Sequence, residues 1–116
     1  MATQTRHRDA QSAFLSILQG RYADATDLIA IMLADDPDDP DAHLAWGEIL
    51  LAQGRIEDAV VALQHAAELA PRNPKAHFSH GTALIEFASR ELVFFRRAAW
   101  TEAREAIVAG LDLTPN

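Results

Sequence analysis

Residues 40–73 read PDAHLAWGEILLAQGRIEDAVVALQHAAELAPRN, and the same pattern stands before and after them. Gly20 recurs as Gly54, Ala25 as Ala59, Pro37 as Pro71 and Pro40 as Pro74, each after a step of 34 residues. A fixed step of this length marks a stacked array of one small unit, because each unit buries its apolar face only against its neighbours. The unit itself reads as two helices. Asp39 before Pro40, and Asn73 before Pro74, are start signals. Their side-chain oxygens can accept from free amides of the first turn, and proline at the first helical place has no amide to leave unpaired. Ala42, Trp46, Ile49 and Leu50 keep one helical phase until Gln53-Gly54-Arg55 breaks it, with Gly54 able to take a left-handed exit. Ile56, Ala59, Val60, Leu63, Ala66, Ala67 and Ala70 form a second helical stripe that Pro71 ends.

Gly47, Leu50, Gly54, Ala59, Leu63, Ala66 and Pro71 together resemble the tetratricopeptide repeat, a helix-turn-helix unit of the same length. The resemblance covers roughly residues 6–116. Trp46 stands where that family usually has Leu, and His43 stands at its usual Trp place. The resemblance implies an all-α fold of about six helices in a short right-handed solenoid. One domain spans 1–116, with repeats at about 6–39, 40–73 and 74–116. It also implies a protein-binding role.

The composition agrees. Apolar residues make up 49% of 116, enough for one continuous core, and alanine is abundant. A net charge of −7 argues against a nucleic-acid partner, whose phosphates call for Lys and Arg. Cysteine is absent, so disulfides and thiolate metal sites are excluded. No apolar run approaches the ~20 residues of a membrane span, and no membrane insertion is expected. Arg6 and Arg8 ahead of Ala13–Leu18 make a poor secretion signal, with a short apolar core and no A-x-A site; a cytoplasmic location is expected.

The first copy is degenerate, with Ser12, Ala13 and Ser16 in place of larger residues or glycine, as terminal repeats often are. Residues 1–5 read as a polar lead-in. Five aspartates in the seven residues 35–41 suggest calcium, but the loop lacks the glycine and bidentate glutamate of an EF-hand; helix capping accounts for them better. The third copy is longer: Pro71 to Pro115 is 44 residues, with ten added at about Ala88–Arg97. Ser89 as a cap and Glu91 in a first turn favour a long final helix from about Arg90 to Leu113, projecting about 15 Å. A hairpin lengthened on both arms is the alternative.

There is no G-x-S-x-G, P-loop, G-x-G-x-x-G or H-E-x-x-H pattern, so neither enzyme activity nor a cofactor is expected. His77 and His80 can share a helix face, and His43 is the repeat equivalent of His77. A zinc site needs three or four converging ligands, and none is forced here. Helix packing is the better account of these histidines.

The family resemblance places a concave groove on the first helices. Carried over, its residues are Phe14, Ile17 and Leu18; then Leu44, Glu48 and Leu51; then Lys75, Phe78, Thr82 and Ile85. The set is largely apolar and suits an apolar helix or extended peptide. One subgroup of the family clamps the C-terminal carboxylate of heat-shock chaperones with Lys, Asn and Arg. The matching places here hold Ala10, Phe14, Ala45, Lys75 and Ser79, so that function is rejected. Leu92, Val93, Phe94 and Phe95 are four consecutive apolar residues flanked by Arg90, Arg96 and Arg97, an interface-like composition. Ile107 and Leu111 belong to a final-helix face that no following repeat covers. The expected function is a non-catalytic adaptor or assembly subunit that binds a protein or peptide segment. Alternatives are a chaperone shielding an apolar segment, a homodimer or other homo-oligomeric scaffold, and a metal-binding role through His77 and His80.

Overall fold

The computed structural model describes residues 2–90 and 93–114, with side chains over 8–90 and 98–114. Six helices occupy the described residues in three hairpins: α1 (Ala2–Leu18) with α2 (Tyr22–Asp35), α3 (Pro40–Ala52) with α4 (Ile56–Leu69), and α5 (Pro74–Arg90) with α6 (Val93–Leu113). No strand occurs among the described residues. Each hairpin packs on the next, α2 against α3 and α4 against α5, while α1, α3 and α5 lie side by side. The stack is elongated, 48 × 32 × 23 Å.

The caps are built as the repeated residues require. Asp39 Oδ1 accepts from the amides of Asp41 (3.0 Å) and Ala42 (3.4 Å), and Asn73 Oδ1 from that of Lys75 (3.0 Å). Gly20 and Gly54 hold φ of 74° and 79°. The following amides then reach back five residues, Arg21 to the Ser16 carbonyl and Arg55 to that of Leu50 (2.8 and 2.9 Å). These are glycine-closed helix ends of the Schellman type. His43 Nε2–H donates to the Pro37 carbonyl (2.8 Å), and His77 Nε2–H to that of Pro71 (2.7 Å). Both histidines thus fasten the loop that precedes their own hairpin.

Within each hairpin the two helices meet at a small residue. A Cβ on Gly47 would overlap the buried Leu63 side chain, and one on Gly81 would stand 2.6 Å from Ile107 Cγ1. Ala13 and Ile29 hold the corresponding places in the first hairpin, inside one buried cluster. That cluster also takes Ala42, Ala45 and Ile49 from α3. A second cluster takes Leu44, Leu50, Ala59, Leu63 and Ala66, with Ala83 from α5. The third comprises Leu84, Ala103 and Ala106, with Val60 and Ile85 packed against it.

Two expectations are corrected. The first helix already runs from Ala2, through the residues read as a polar lead-in. The final helix is long and ends at Leu113, as expected, but it starts at Val93 and does not take up all ten added residues. They lengthen both arms: α5 has 17 residues against 13 in α3, and α6 has 21 against 14 in α4. The reason lies at Ala88, which stands where Gly20 and Gly54 end their helices. It is fully buried, and α5 runs through it. Ser89 is no cap; its Oγ donates to the Glu86 carbonyl within the helix (2.8 Å).

Gly47→Ala is expected to destabilise the chain by about 1–3 kcal/mol through overpacking, and Gly54→Ala by about 1–2 kcal/mol through its left-handed backbone. Denaturant melts measure both, and a Gly47→Ala chain as stable as the parent would refute the close approach.

Candidate protein-binding surface

The face shared by α1, α3 and α5 carries the residues singled out from the sequence, but not all of them reach solvent. Leu44 is 1% exposed and belongs to the second core cluster, so it is interior and not a groove residue. The residues at its repeat places are engaged likewise. Ala10 is buried, and Phe78 is half-buried against α6, where a Cβ on Gly110 would stand 2.7 Å from its ring. Thr82 is exposed, with its hydroxyl donating to the Phe78 carbonyl (2.9 Å).

A polar cross-link ties the three first helices together at one end of this face. Lys75 Nζ lies 3.5 Å from the centroid of the half-buried Phe14 ring and 3.9 Å from Glu48 Oε1, which also accepts from Ser79 Oγ (3.2 Å). Lys75 therefore covers Phe14 instead of leaving it open. Burial pushes the Glu48 carboxyl above its ordinary value of 4.5, and the nearby Lys75 charge and the Ser79 hydrogen bond oppose that shift only in part.

At the other end the face is apolar. Ile17, Leu51 and Ile85 stand 34 residues apart, one on each first helix, all half-buried. Leu18 beside them is 85% exposed. Ile85 also belongs to a second surface, an apolar groove of about 580 Å³ along α6, lined by Trp100, Ala103, Arg104, Ile107 and Val108. Ile107 is half turned inward onto Gly81, whereas Leu111 is 57% exposed. Leu92, Val93, Phe94 and Phe95 lie outside the residues whose side chains are described.

Sequence reasoning missed Trp100, which is 46% exposed, and Arg104. The signal was available. Trp100 is the counterpart of Ile56 once the ten added residues are allowed for, and no helix among the described residues covers it.

His77 and His80 share a depression of about 360 Å³ with Glu68, Glu102 and Glu105. His77 is committed to its loop carbonyl. His80 is 9% exposed, and its Nε2 has no hydrogen-bond partner. Burial lowers its pKa below the ordinary 6.5; His77 adds to the shift, and Glu102 and Glu68 oppose it. No group of three or more His, Cys, Asp or Glu among the described residues is placed to hold a metal ion. No helix among them is long and apolar enough to cross a membrane.

The two shifted groups give opposite pH dependences. A carboxyl with a raised folded pKa adds most stability below its ordinary value, and that contribution is lost as pH rises through the folded value. Glu48→Gln is therefore expected to raise the Tm at pH 7.5 relative to the parent, with the difference closing toward pH 4. A histidine with a lowered folded pKa contributes above its ordinary value and loses that contribution as pH falls through the folded one. His80→Leu should flatten the fall in Tm between about pH 6.5 and pH 5. Melts across pH check both.

A family model described as tetratricopeptide repeat matches residues 16–79, more than half of the 116. The match runs from the end of α1 through the second hairpin into α5. No curated protein matches the chain.

Proposed function

The chain belongs to the tetratricopeptide repeat family, and on that premise we propose that it is a non-catalytic adaptor holding a protein segment on the face of α1, α3 and α5. Repeats of this family generally mediate protein–protein contacts. The observation that carries the reading is the line Ile17–Leu51–Ile85, with Leu18 beside it: one apolar side chain from each hairpin at the same repeat place. Each of the three packs partly against the core cluster of its own hairpin and leaves its remaining edge in water, and that edge can take the apolar side of a helix or an extended peptide. Fully burying one large apolar side chain is worth roughly 1.5–3 kcal/mol, so a few anchors offset the ordering cost of a modest complex. The cross-link at Lys75, Glu48 and Ser79 bounds the apolar line and favours a segment that turns polar there. It is also why Phe14, half-buried under Lys75, is a weaker anchor than Leu51.

The test is affinity capture with the full chain as bait, comparing the parent with Leu51→Glu and Leu111→Glu. A partner should be held by the parent and by Leu111→Glu, and weakened at least roughly tenfold by Leu51→Glu, the loss expected from ~1.4 kcal/mol. A partner indifferent to Leu51→Glu, with folding checked by circular dichroism, would overturn the reading.

A further inference from the structure

The seam between the second and third hairpins is built differently from the seam before it. In the earlier seam Leu33 and Trp46 pack on the first core cluster, and the His43 ring meets that of His65 edge-on, with centroids 4.6 Å apart. Gly47 faces Leu63 and Gly81 faces Ile107, which sets the step from α4 to α6 at 44 residues; the other helices keep the step of 34. In that register Ala67, His80 and Ala109 stand at the places of Leu33, Trp46 and His65. Three large side chains give way to smaller ones, and a depression of about 360 Å³ lies between α4, α5 and α6. Ala67, Pro71 and Ala106 supply its apolar lining. Over the same step Ala34 is replaced by Glu68 and Val61 by Glu105, with Glu102 at the place of Asp58. The seam has thus lost bulk and gained carboxylates.

Among the described residues none of these three carboxylates forms an ion pair, and only Glu68 accepts a side-chain hydrogen bond, from Gln64 Nε2 (3.3 Å). Arg72, next to Pro71 in the chain, pairs with none of them. The α6 residues three and four places from Glu102 and Glu105 are otherwise Ala98, Ala99, Ala106, Thr101, Val108 and Ala109, all without charge. A second observation points to a ligand. His80 lines the depression from α5, its side chain is more than nine-tenths buried, and its Nε2 has no partner. Burial favours the neutral ring, against the pull of Glu102 and Glu68 and with that of His77, so His80 does not itself supply the positive charge these carboxylates lack. A metal ion is too small to be held, since no three His, Asp or Glu groups among the described residues converge on one.

We propose that this depression seats a lysine side chain of a partner protein, with its stem against Ala67, Pro71 and Ala106 and its ammonium among Glu68, Glu102 and Glu105. An ammonium is a compact charge whose three donors can be shared between separate carboxylates on two helices, whereas a guanidinium is matched to both oxygens of one. A second copy of the chain has no such group to offer. Its one lysine, Lys75, is held over the Phe14 ring and beside Glu48. The proposal rests on the reading of the chain as a protein-binding module but uses none of the residues of the Ile17–Leu51–Ile85 line.

The probe is a short alanine peptide with one central lysine, titrated into the full chain and followed by NMR at the Ala67 and Ala106 methyl groups and the His80 ring. Control peptides carry Nε-acetyl-lysine or arginine at the centre, and butylamine stands for a free amine. The lysine peptide should give saturable shifts at these signals that weaken with added salt. The acetyl-lysine peptide should bind at least roughly fivefold more weakly. Glu102→Gln together with Glu105→Gln should bring the two peptides close to parity. Ala67→Leu, which restores the side chain of the Leu33 place, should abolish binding, and Leu51→Glu should leave it unchanged. Equal binding of the lysine and acetyl-lysine peptides, or a preference that survives the paired glutamine variant, would overturn the proposal. So would shifts that map to the face of α1, α3 and α5 and vanish in Leu51→Glu. Arginine bound as tightly as lysine would overturn the choice of lysine and admit a second copy, and butylamine bound as tightly as the peptide would give the depression to a free amine.

Discussion

The stack depends on one arrangement repeated in each hairpin, a small residue on the first helix at the level of a branched side chain on the second. Ala13 with Ile29, Gly47 with Leu63 and Gly81 with Ile107 bring the two axes close enough for their alanines to meet. Close approach fixes which residues turn inward. It buries Leu44 and draws Phe78 onto Gly110, leaving the places toward the helix ends to face solvent. The proposed binding face is what remains after this contact has been satisfied.

Polar chemistry in the chain mostly serves the stack. Asp39 and Asn73 satisfy helix amides, and His43 and His77 tie down loops at equivalent carbonyls. Glu48, Lys75 and Ser79 join α3 to α5 and, through the Phe14 ring, to α1. The half-buried carboxylate costs stability at neutral pH, and neither Lys75 nor Ser79 fully offsets it. What the cross-link contributes is a division of the face into a charged end and an apolar end.

The two ends of the stack are unlike. At one end, α1 presents Arg8, Gln11 and Gln19 to solvent, a polar surface. At the finish, Trp100, Val108 and Leu111 are presented, with Arg104 among them. Ile85 belongs both to the apolar line of the first helices and to the groove along α6, so the two apolar surfaces are continuous around the third hairpin.

Much of the fold was legible because it repeats. A step of 34 residues, glycine at each of the first two turns and proline after a capping residue locate four of the six helices without any tertiary information. Local rules suffice there, since a cap, a left-handed turn and a helical stripe are set by residues within a few positions of one another. The third hairpin was harder for the same reason. With Ala88 where a glycine should stand, local signals favoured a cap at Ser89, and only packing of the buried Ala88 carried α5 past it. Repeat arithmetic also placed Phe14, Leu44 and Phe78 on the binding face, because period alone cannot tell a groove residue from one facing the next helix. The sequence by itself determined the helical unit and its caps. The tertiary structure decided which apolar residues stay in water, because exposure depends on the distance to a neighbouring helix, and side chains far apart in the chain set that distance.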